Sequence, residues 1–379
     1  MSEAKSEGTG AQAVRMPVAS QTMSQRSRAG LDVLGGILKF TSVATREAAR
    51  QDFETSPEGR ALTEAHATGT ADTPEAIAER VDKAKDLAAS LPNYRMERFA
   101  QRYVAEEMMN RNLVAAEEMR AMHEHLDSLP VNSAGGSLAL DPEAPLPDWY
   151  EGIHFHLAPI GVDGYDLGTK GAGIGRVFRY GGFAAVPPGS NIGGQRIDVV
   201  QQFRRRDHTR ILEIGCGSVF TLLAISKVFP EAELIGCDLN GRGLKEGHRL
   251  AEKMGLKVDL RQCDARTTGE ADGSVDAVFS YAVHHEAPVP VNREMFAEAF
   301  RILKSGGEIV ISDPPPFRAV DMFTAVLLEW DNDHREEPYF RETCLANWED
   351  ELRAAGFVEV EAYGLGAQSY PWVTRAVKP

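Results

Sequence analysis

Apolar and polar positions change their spacing about halfway along the chain. In the second half, short apolar runs typical of buried strands alternate with stretches of helical periodicity. The runs lie at 210–215, 233–238, 257–263, 275–281 and 307–312. Strands that alternate with helices predict a parallel sheet with helices on both faces, because each parallel connection needs a crossover that a helix supplies. We therefore predict a doubly wound α/β domain over residues 205–379, with its ligand at the carboxyl ends of the strands.

The first third of the chain has the spacing of amphipathic helices. Three such stretches follow one another, at 31–53, 72–92 and 93–129. Thr73 and Pro74 give the second stretch an N-cap residue and a first-turn proline. The third stretch has an apolar side that another surface must cover. We expect residues 29–130 to form an α-helical region that packs on the α/β domain or joins two copies of the chain in a homodimer.

Two segments have neither pattern. Residues 1–28 contain few large apolar side chains, so they cannot bury enough surface to offset the entropy of ordering, and we expect a disordered tail. Residues 131–204 are rich in glycine and proline, which predicts turns and short strands rather than helices. We expect this second segment to cover part of the α/β domain.

Composition narrows the range of partners and compartments. The 379 residues have a formal net charge of −15 and a pI near 5.2. A nucleic-acid partner requires clustered Lys and Arg, so this balance argues against nucleic acid and favours a small molecule. The four cysteines lack CxxC or zinc-type spacing, which indicates free thiols. Without a secretory signal or an apolar run near the ~18 residues of a membrane span, we expect a cytoplasmic protein with no integral membrane segment.

A glycine turn joins the first predicted strand to the helix that follows it. The stretch RILEIGCGSVF, residues 210–220, has Phe220 where the dinucleotide motif G-x-G-x-x-G has its third glycine, so the pattern argues against NAD. Glu213 precedes this turn and could accept a hydrogen bond from the amino group of a methionine portion. Asp238 ends the second strand, where it could accept from both ribose hydroxyls, and Asp264 ends the third, where it could accept from an adenine amine.

Taken in order, these stretches resemble a known family. LEIGCGS, GCDLN, QCDA, DGSVDAVFSYAVHH and EAFRILKSGGEIVISD are similar to the ordered motifs of class I S-adenosylmethionine-dependent methyltransferases, and the resemblance covers residues 205–379. It implies a Rossmann-like fold and S-adenosyl-L-methionine as cofactor. Val219 departs from the family pattern, which has a third glycine there. The cofactor-binding residues that follow are Glu213, Gly215, Gly217, Asp238, Leu239, Asp264, Ala265, Ser280 and Tyr281.

Two adjacent histidines are candidates for a general base. His284 and His285 follow the fourth strand, on the loop that faces the methyl group in this family. A base is optional, because the sulfonium methyl group is already activated, but a hydroxyl acceptor would benefit from one. The alternative is that these histidines pack against the cofactor or cap the next helix. We predict methyl transfer to a small-molecule acceptor, with O-, C- and S-methylation open; the alternative is a catalytically silent regulatory or scaffold protein that binds the same cofactor.

The acceptor residues are the least constrained part of the prediction. An extra helical stretch at 317–342 falls where related enzymes cover the acceptor, although its charges could equally form a solvated helix face. Aromatic and basic residues of the 131–204 segment could line the other side. His154 and His156 alternate as metal ligands on a strand would, but no third ligand is evident and we predict no metal. The candidate acceptor contacts are Tyr165, Arg176, Arg179, Tyr180, Trp330, Asp331, His334 and Tyr339.

Overall fold

An eight-stranded sheet lies at the centre of the protein. In chain order the strands are β1 (Gly136–Ala139), β2 (Arg210–Ile214), β3 (Glu233–Asp238), β4 (Val258–Gln262), β5 (Val275–Tyr281), β6 (Leu303–Asp313), β7 (Val358–Gly364) and β8 (Trp372–Val377). Their order across the sheet is β1-β4-β3-β2-β5-β6-β8-β7. All neighbours are parallel except for the β6–β8 and β7–β8 pairs. The predicted doubly wound, mainly parallel sheet is therefore confirmed.

The computed structural model describes a large part of the chain. The described residues are 24–68, 72–118, 121, 125, 128–130, 132–141, 143–153, 155–157, 192–217 and 219–379. The predicted acceptor contacts Tyr165, Arg176, Arg179 and Tyr180 lie outside them, as do residues 1–23 of the predicted tail.

Alternate residues of the central strands enter two separate cores, one on each face of the sheet. Ile211 of β2 packs on one face with α6 (Ile192–Val200), α7 (Phe220–Val228) and α8 (Gly241–Lys253). Leu212 packs on the other face with α9 (Val289–Ile302) and α12 (Trp348–Ala354). Burial on both faces explains why these strands read as continuous apolar runs rather than as alternating ones.

Sequence patterning missed one helix and the start of one strand. α6 lies wholly in the segment 131–204, which was predicted to form turns and short strands rather than helices. β1 is a short strand in that segment, and it adds a parallel edge strand through the pairing of Gly136 with Val258. Four residues are too few to show a periodicity. β6 begins at Leu303 rather than at 307, because Leu303 pairs with Val275 ahead of a bulge while the polar residues after it interrupt the apolar pattern.

The N-terminal region is helical, as its spacing predicted. The helices are α1 (Gln25–Phe40), α2 (Arg46–Thr55), α3 (Pro57–Thr68), α4 (Pro74–Ser90) and α5 (Pro92–Glu118), and a π-helical turn, Thr41–Thr45, joins α1 to α2. Thr73 caps α4 by accepting from the backbone N–H of Ala76. α1 begins at Gln25, inside the predicted tail, because the hydroxyl of Ser24 caps it and also bonds to Glu118 of α5.

The N-terminal helices pack on an insertion of the α/β domain. This insertion contains α10 (Met322–His334) and α11 (Phe340–Leu345), which lie between β6 and α12. Phe323 of α10 is buried against the rings of Phe53 and Tyr94, with centroids 5.7 and 6.3 Å away. Arg50 donates to Asp321 at 2.8 Å at the edge of this contact. The N-terminal helices therefore cover the insertion, while a homodimer through them remains a prediction. No helix in the described part of the chain could cross a membrane.

Candidate cofactor and acceptor site

The glycine turn after β2 is held against the end of β3. The backbone N–H groups of Gly215 and Cys216 both donate to the carbonyl of Cys237, at 2.9 and 3.2 Å. Gly215 has φ +66°, and a Cβ added there would lie 2.4 Å from Cγ2 of Val283, so both conformation and space require glycine. Gly217 has φ +49° and open space around it. The turn therefore exposes backbone at the carboxyl end of the sheet.

Val219 occupies the position of the third glycine in the family pattern, and its backbone conformation explains why that pattern has glycine there. Its φ is +61° and its ψ is 16°, in the left-handed region that a β-branched residue rarely enters. The side chain is fully buried among the apolar residues of the α7 face of the sheet. Packing of the valine thus offsets the backbone strain, and the chain keeps the geometry of the turn without the third glycine.

A cavity of about 230 Å³ opens beside this turn. It lies at the carboxyl ends of β2, β3 and β4, where a doubly wound sheet binds its ligand. Six of the predicted cofactor residues line it, namely Gly215, Gly217, Asp238, Leu239, Asp264 and Ala265. Glu213, Ser280 and Tyr281 are not among the lining residues. Lining residues that sequence reasoning missed include Trp149, Tyr150, Asn240, Cys263, Glu286 and Met295.

Asp238 links the glycine turn to the start of α8. Its Oδ2 accepts from the backbone N–H of Gly217 at 2.7 Å, and its Oδ1 accepts from that of Asn240 at 2.8 Å. Burial raises the pKa of Asp238 to about 6, against these two hydrogen bonds, which lower it. Each carboxylate oxygen has a second lone pair. An ionised Asp238 can therefore accept two further hydrogen bonds from a pair of hydroxyl groups in the cavity.

Asp264 is held by a neighbouring arginine. Arg266 donates from Nη2 to Oδ2 at 2.7 Å and from Nε to both oxygens, and its backbone N–H adds a bond to Oδ1 at 2.9 Å. A ligand amine would have to share this carboxylate with the guanidinium. Asp264 can still accept a hydrogen bond from a ligand. The guanidinium of Arg266 offsets more of its negative charge than the backbone N–H groups offset for Asp238.

Glu213 lies beside the turn and is almost completely buried. Its Oε2 has no hydrogen-bond partner among the described residues. Burial raises the pKa of Glu213 to about 8, although Thr221 and Arg196 act in the opposite direction. An unpartnered buried carboxyl oxygen is costly unless a ligand supplies a donor.

The two adjacent histidines have different surroundings. The ring of His284 packs against Phe296 and Trp348, and its Nδ1 lies 2.5 Å from Oδ1 of Asn292. Burial lowers the pKa of His284. The ring of His284 therefore belongs to the core. Neither His284 nor His285 is among the residues that line the cavity.

His285 forms a pair with Asp313 at the end of β6. Its Nδ1 is hydrogen-bonded to Oδ1 of Asp313, whose Oδ2 accepts from the backbone N–H of His284 at 2.9 Å. Burial acts to lower the pKa of His285, but the Asp313 carboxylate outweighs it and the pKa is raised. Since an ionised carboxylate only accepts, Nδ1 carries the shared proton and Nε2 is the basic nitrogen. Sequence reasoning missed Asp313, which ends β6 in the motif EIVISD.

The predicted acceptor residues of the insertion do not converge on one site. Trp330 stacks on His334 with centroids 4.6 Å apart and lies under the guanidinium of Arg98, so it belongs to the contact with the N-terminal helices. Asp331 pairs with Arg335 at 3.1 Å. His334 also lines a separate, open cleft beside α5. These three were predicted to contact the acceptor because the sequence could not show which face of α10 the N-terminal helices cover.

Of the four predicted acceptor residues in the insertion, Tyr339 contacts a residue that lines the cavity. Its hydroxyl donates to the backbone carbonyl of Trp149 at 2.5 Å. Trp149 and Tyr150 pack edge to face, and both line the cavity. The insertion therefore fixes two aromatic residues of the 131–204 segment over the cavity, which is the covering role that had been predicted for other residues of that segment.

The central part of this α/β domain matches a known family. Residues 211–307 match the family model for a methyltransferase domain. The matched residues run from β2 into β6. The glycine turn and the three acidic residues at strand ends fall within the matched residues of this methyltransferase domain, so the resemblance inferred from the sequence motifs is confirmed.

Curated relatives of the methyltransferase domain differ in what they are named for. The chain is 31% identical to a demethylmenaquinone methyltransferase of Thermus thermophilus over 28% of this chain and 48% of the relative. It is 29% identical to an arsenite methyltransferase of Halobacterium salinarum over 40% of this chain and 32% of the relative. The chain thus spans less than half the length of either relative.

Among solved structures, phosphoethanolamine N-methyltransferase 2 of Haemonchus contortus, in complex with S-adenosyl-L-methionine, is 18% identical. It matches over 49% of this chain and 52% of its own, with a TM-score of 0.39.

Proposed function

We propose that this protein is an S-adenosyl-L-methionine-dependent methyltransferase that acts on a small-molecule acceptor. One observation carries the proposal: three acids lie near the carboxyl ends of three neighbouring parallel strands. Asp238 ends β3 and Asp264 follows β4, and both line the cavity, while Glu213 lies near the end of β2 beside the glycine turn. A pyrophosphate would be repelled by this set of acids. An ammonium group, a ribose and an adenine amine supply only donors, which is the complement that these carboxyl groups need.

The acidic residues fit the cofactor in a specific way. Asp238 is placed for the ribose hydroxyls because its two oxygens are already oriented by the backbone of Gly217 and Asn240. Glu213 provides the unpartnered oxygen for the ammonium group. Trp149 and Tyr150 line the cavity beside these acids.

For methyl transfer, the protein mainly has to position the acceptor and exclude water from the site. When bound, S-adenosyl-L-methionine supplies an activated methyl group on its sulfonium. The chain contributes a candidate base, His285, whose Nδ1 is oriented by Asp313 and whose Nε2 can take the proton of an acceptor hydroxyl. This arrangement favours O-methylation among the possible reactions.

Charge and coverage support a small acceptor over nucleic acid. The formal net charge of −15 opposes a phosphate backbone. The N-terminal helices and the insertion pack together through Phe323 and Arg50, next to the loop that carries His285. The insertion also contacts Trp149, which lines the cavity, through Tyr339. A small molecule needs less open surface than a polymer does.

The test uses the full chain with radiolabelled S-adenosyl-L-methionine and a metabolite extract. We expect a labelled product and S-adenosylhomocysteine, and we expect both to disappear in Asp238→Asn and to persist in Asp276→Asn. Asp276 provides a matched control because it also accepts from two backbone N–H groups, those of Thr209 and Arg210. It lies at the start of β5, at the opposite edge of the sheet from the cavity. Cofactor binding without any product from extracts would favour the silent regulatory or scaffold protein. Label transfer to RNA instead of metabolites would contradict the small-molecule acceptor.

A further inference from the structure

Two cysteines lie side by side at the carboxyl ends of β3 and β4. Cys237 pairs with Arg261 in the sheet, so Cys263, two residues further along, is on the same face of the sheet as Cys237. The backbone N–H of Cys263 donates to the carbonyl of Asp238 at 3.1 Å, which continues the pairing of the two strands beyond the end of β4. Both side chains pack with the core on the α9 face, and both residues line the cofactor cavity.

The two thiols are hydrogen-bonded to each other and differ in acidity. The hydrogen bond with Cys237 lowers the pKa of the Cys263 thiol below its ordinary value, although burial acts in the opposite direction. The same hydrogen bond, together with burial, raises the pKa of the Cys237 thiol well above its ordinary value. The carbonyls of Arg261 and Thr268 lie 3.9 Å from the Cys263 sulfur, long contacts that hold it weakly. Since the thiolate is the nucleophilic form, Cys263 reacts first and Cys237 is the second thiol in contact with it.

We propose that Cys237 and Cys263 form a redox-sensitive pair, which a hydroperoxide converts to a disulfide when the cavity holds no cofactor. The Cys263 thiolate attacks one oxygen of hydrogen peroxide and the O–O bond breaks, which gives a sulfenic acid and a hydroxide that takes up a proton to leave as water. The sulfur of Cys237 then attacks the sulfenic sulfur and gives up its proton as the S–O bond breaks, and a second water leaves. The two thiols lose two electrons, and the peroxide takes them up.

The disulfide lies next to the two acids that line the cavity. Asp238 and Asp264 directly follow Cys237 and Cys263 in the chain. Formation of the disulfide moves the two sulfur atoms from contact to bonding distance, so the backbone or the side chains beside both acids must shift. Loss of one charged hydrogen bond to the cofactor weakens its binding about 10- to 150-fold. This effect on cofactor binding rests on the proposed function, whereas the formation of the disulfide does not.

The first experiment treats the full chain with hydrogen peroxide, with and without S-adenosylhomocysteine, and maps disulfides by mass spectrometry of unreduced peptides. We expect a Cys237–Cys263 disulfide in the ligand-free protein. With the ligand at about 100 times its dissociation constant, we expect the disulfide to form about tenfold more slowly or less, because the ligand-free fraction is small.

Calorimetry then measures the affinity of the oxidised protein for S-adenosylhomocysteine. We expect binding to be about 10- to 150-fold weaker than in the reduced protein, and dithiothreitol to restore it. Dithiothreitol reduces a disulfide but leaves methionine sulfoxide in place, so this recovery excludes oxidation of Met295, which also lines the cavity.

The second experiment repeats these measurements on three variants. We expect Cys263→Ala to form no disulfide and to have the same affinity for S-adenosylhomocysteine before and after peroxide, whatever that affinity is. We expect Cys237→Ala to accumulate a sulfenic acid on Cys263, which dimedone traps, because the second thiol is missing. Cys344→Ala is the matched control, since Cys344 is a buried cysteine of α11 and should not affect the disulfide.

Several outcomes would overturn the inference. Ligand-free wild-type protein in which Cys237 and Cys263 stay reduced, are oxidised without joining, or pair with Cys216 instead would do so, and this measurement needs no variant. A Cys237–Cys263 disulfide that leaves the affinity for S-adenosylhomocysteine unchanged would also overturn it. If the disulfide forms but the reduced protein binds no S-adenosylhomocysteine, the proposed function fails while the thiol pair stands.

Discussion

Replacing Asp238 with asparagine tests the assignment of the cofactor cavity most directly. Asp238 accepts from two backbone N–H groups at once, at 2.7 Å from Gly217 and at 2.8 Å from Asn240. Asparagine offers a single acceptor oxygen, so its NH₂ group must face one of these donors whichever way the amide is turned. The variant loses one of the two bonds and also the charge that the ribose hydroxyls would meet.

The expected loss of affinity is larger than the expected loss of stability. Removing charged hydrogen bonds to the ribose costs about 1.5–3 kcal/mol, which weakens binding about 10- to 150-fold. One buried N–H without a partner costs about 1–3 kcal/mol of unfolding free energy. Part of that cost is offset, because burial already disfavours the charge of Asp238, as its pKa of about 6 indicates. The variant should therefore fold and bind the cofactor poorly.

Calorimetry with S-adenosylhomocysteine measures the effect, and the pH dependence supplies a second readout. The ribose hydroxyls donate to the ionised carboxylate, so wild-type affinity should fall as the pH drops through about 6. Asp238→Asn should lack this dependence. Asp276→Asn should bind like the wild-type protein while losing stability, because Lys304 and Thr209 hold the pKa of Asp276 below its usual range despite burial. A dissociation constant of Asp238→Asn within threefold of wild type at pH 7.5 would refute the reasoning.

Three further predictions concern the N-terminal contact, the glycine turn and the candidate base. Phe323→Ala should lower the free energy of unfolding in urea by about 3–5 kcal/mol, since Phe323 is buried against two rings, whereas the exposed Val358→Ala should change it by less than about 0.5 kcal/mol; a loss under 1 kcal/mol for Phe323→Ala would mean that this contact contributes little. Val219→Gly should be about 1–2 kcal/mol more stable than Val219→Ala, because both lose the valine packing but only glycine relieves the positive φ; the reverse order would contradict the strain. In NMR titrations His285 should have a pKa above the ordinary 6.5, and Asp313→Asn should lower it; an unchanged value would remove Asp313 as its partner.

Much of the candidate site follows from local sequence. Parallel strands buried on both faces need unbroken apolar runs, so the strands from β2 to β6 could be located within a few residues. Because these strands are parallel, their carboxyl ends were expected to lie at the same edge of the sheet. Glu213, Asp238 and Asp264 could then be assigned to one edge of the sheet from the sequence, because each lies within two residues of the carboxyl end of a strand. The glycine turn could be recognised in the sequence because tight turns with positive φ favour glycine, and Gly215 and Gly217 both have positive φ.

The tertiary structure alone decided the role of each side chain around that frame. Two adjacent histidines look equivalent in sequence, yet His284 points into a core with Phe296 while His285 meets Asp313, 28 residues away. Trp149 lines the cavity from a segment whose glycine- and proline-rich composition has no periodicity. Periodicity records which face of an element is buried, because burial repeats along a helix or strand. It does not show which distant element covers that face. In this protein, tertiary packing determines where the candidate base, the aromatic residues at the cavity and the N-terminal helices lie.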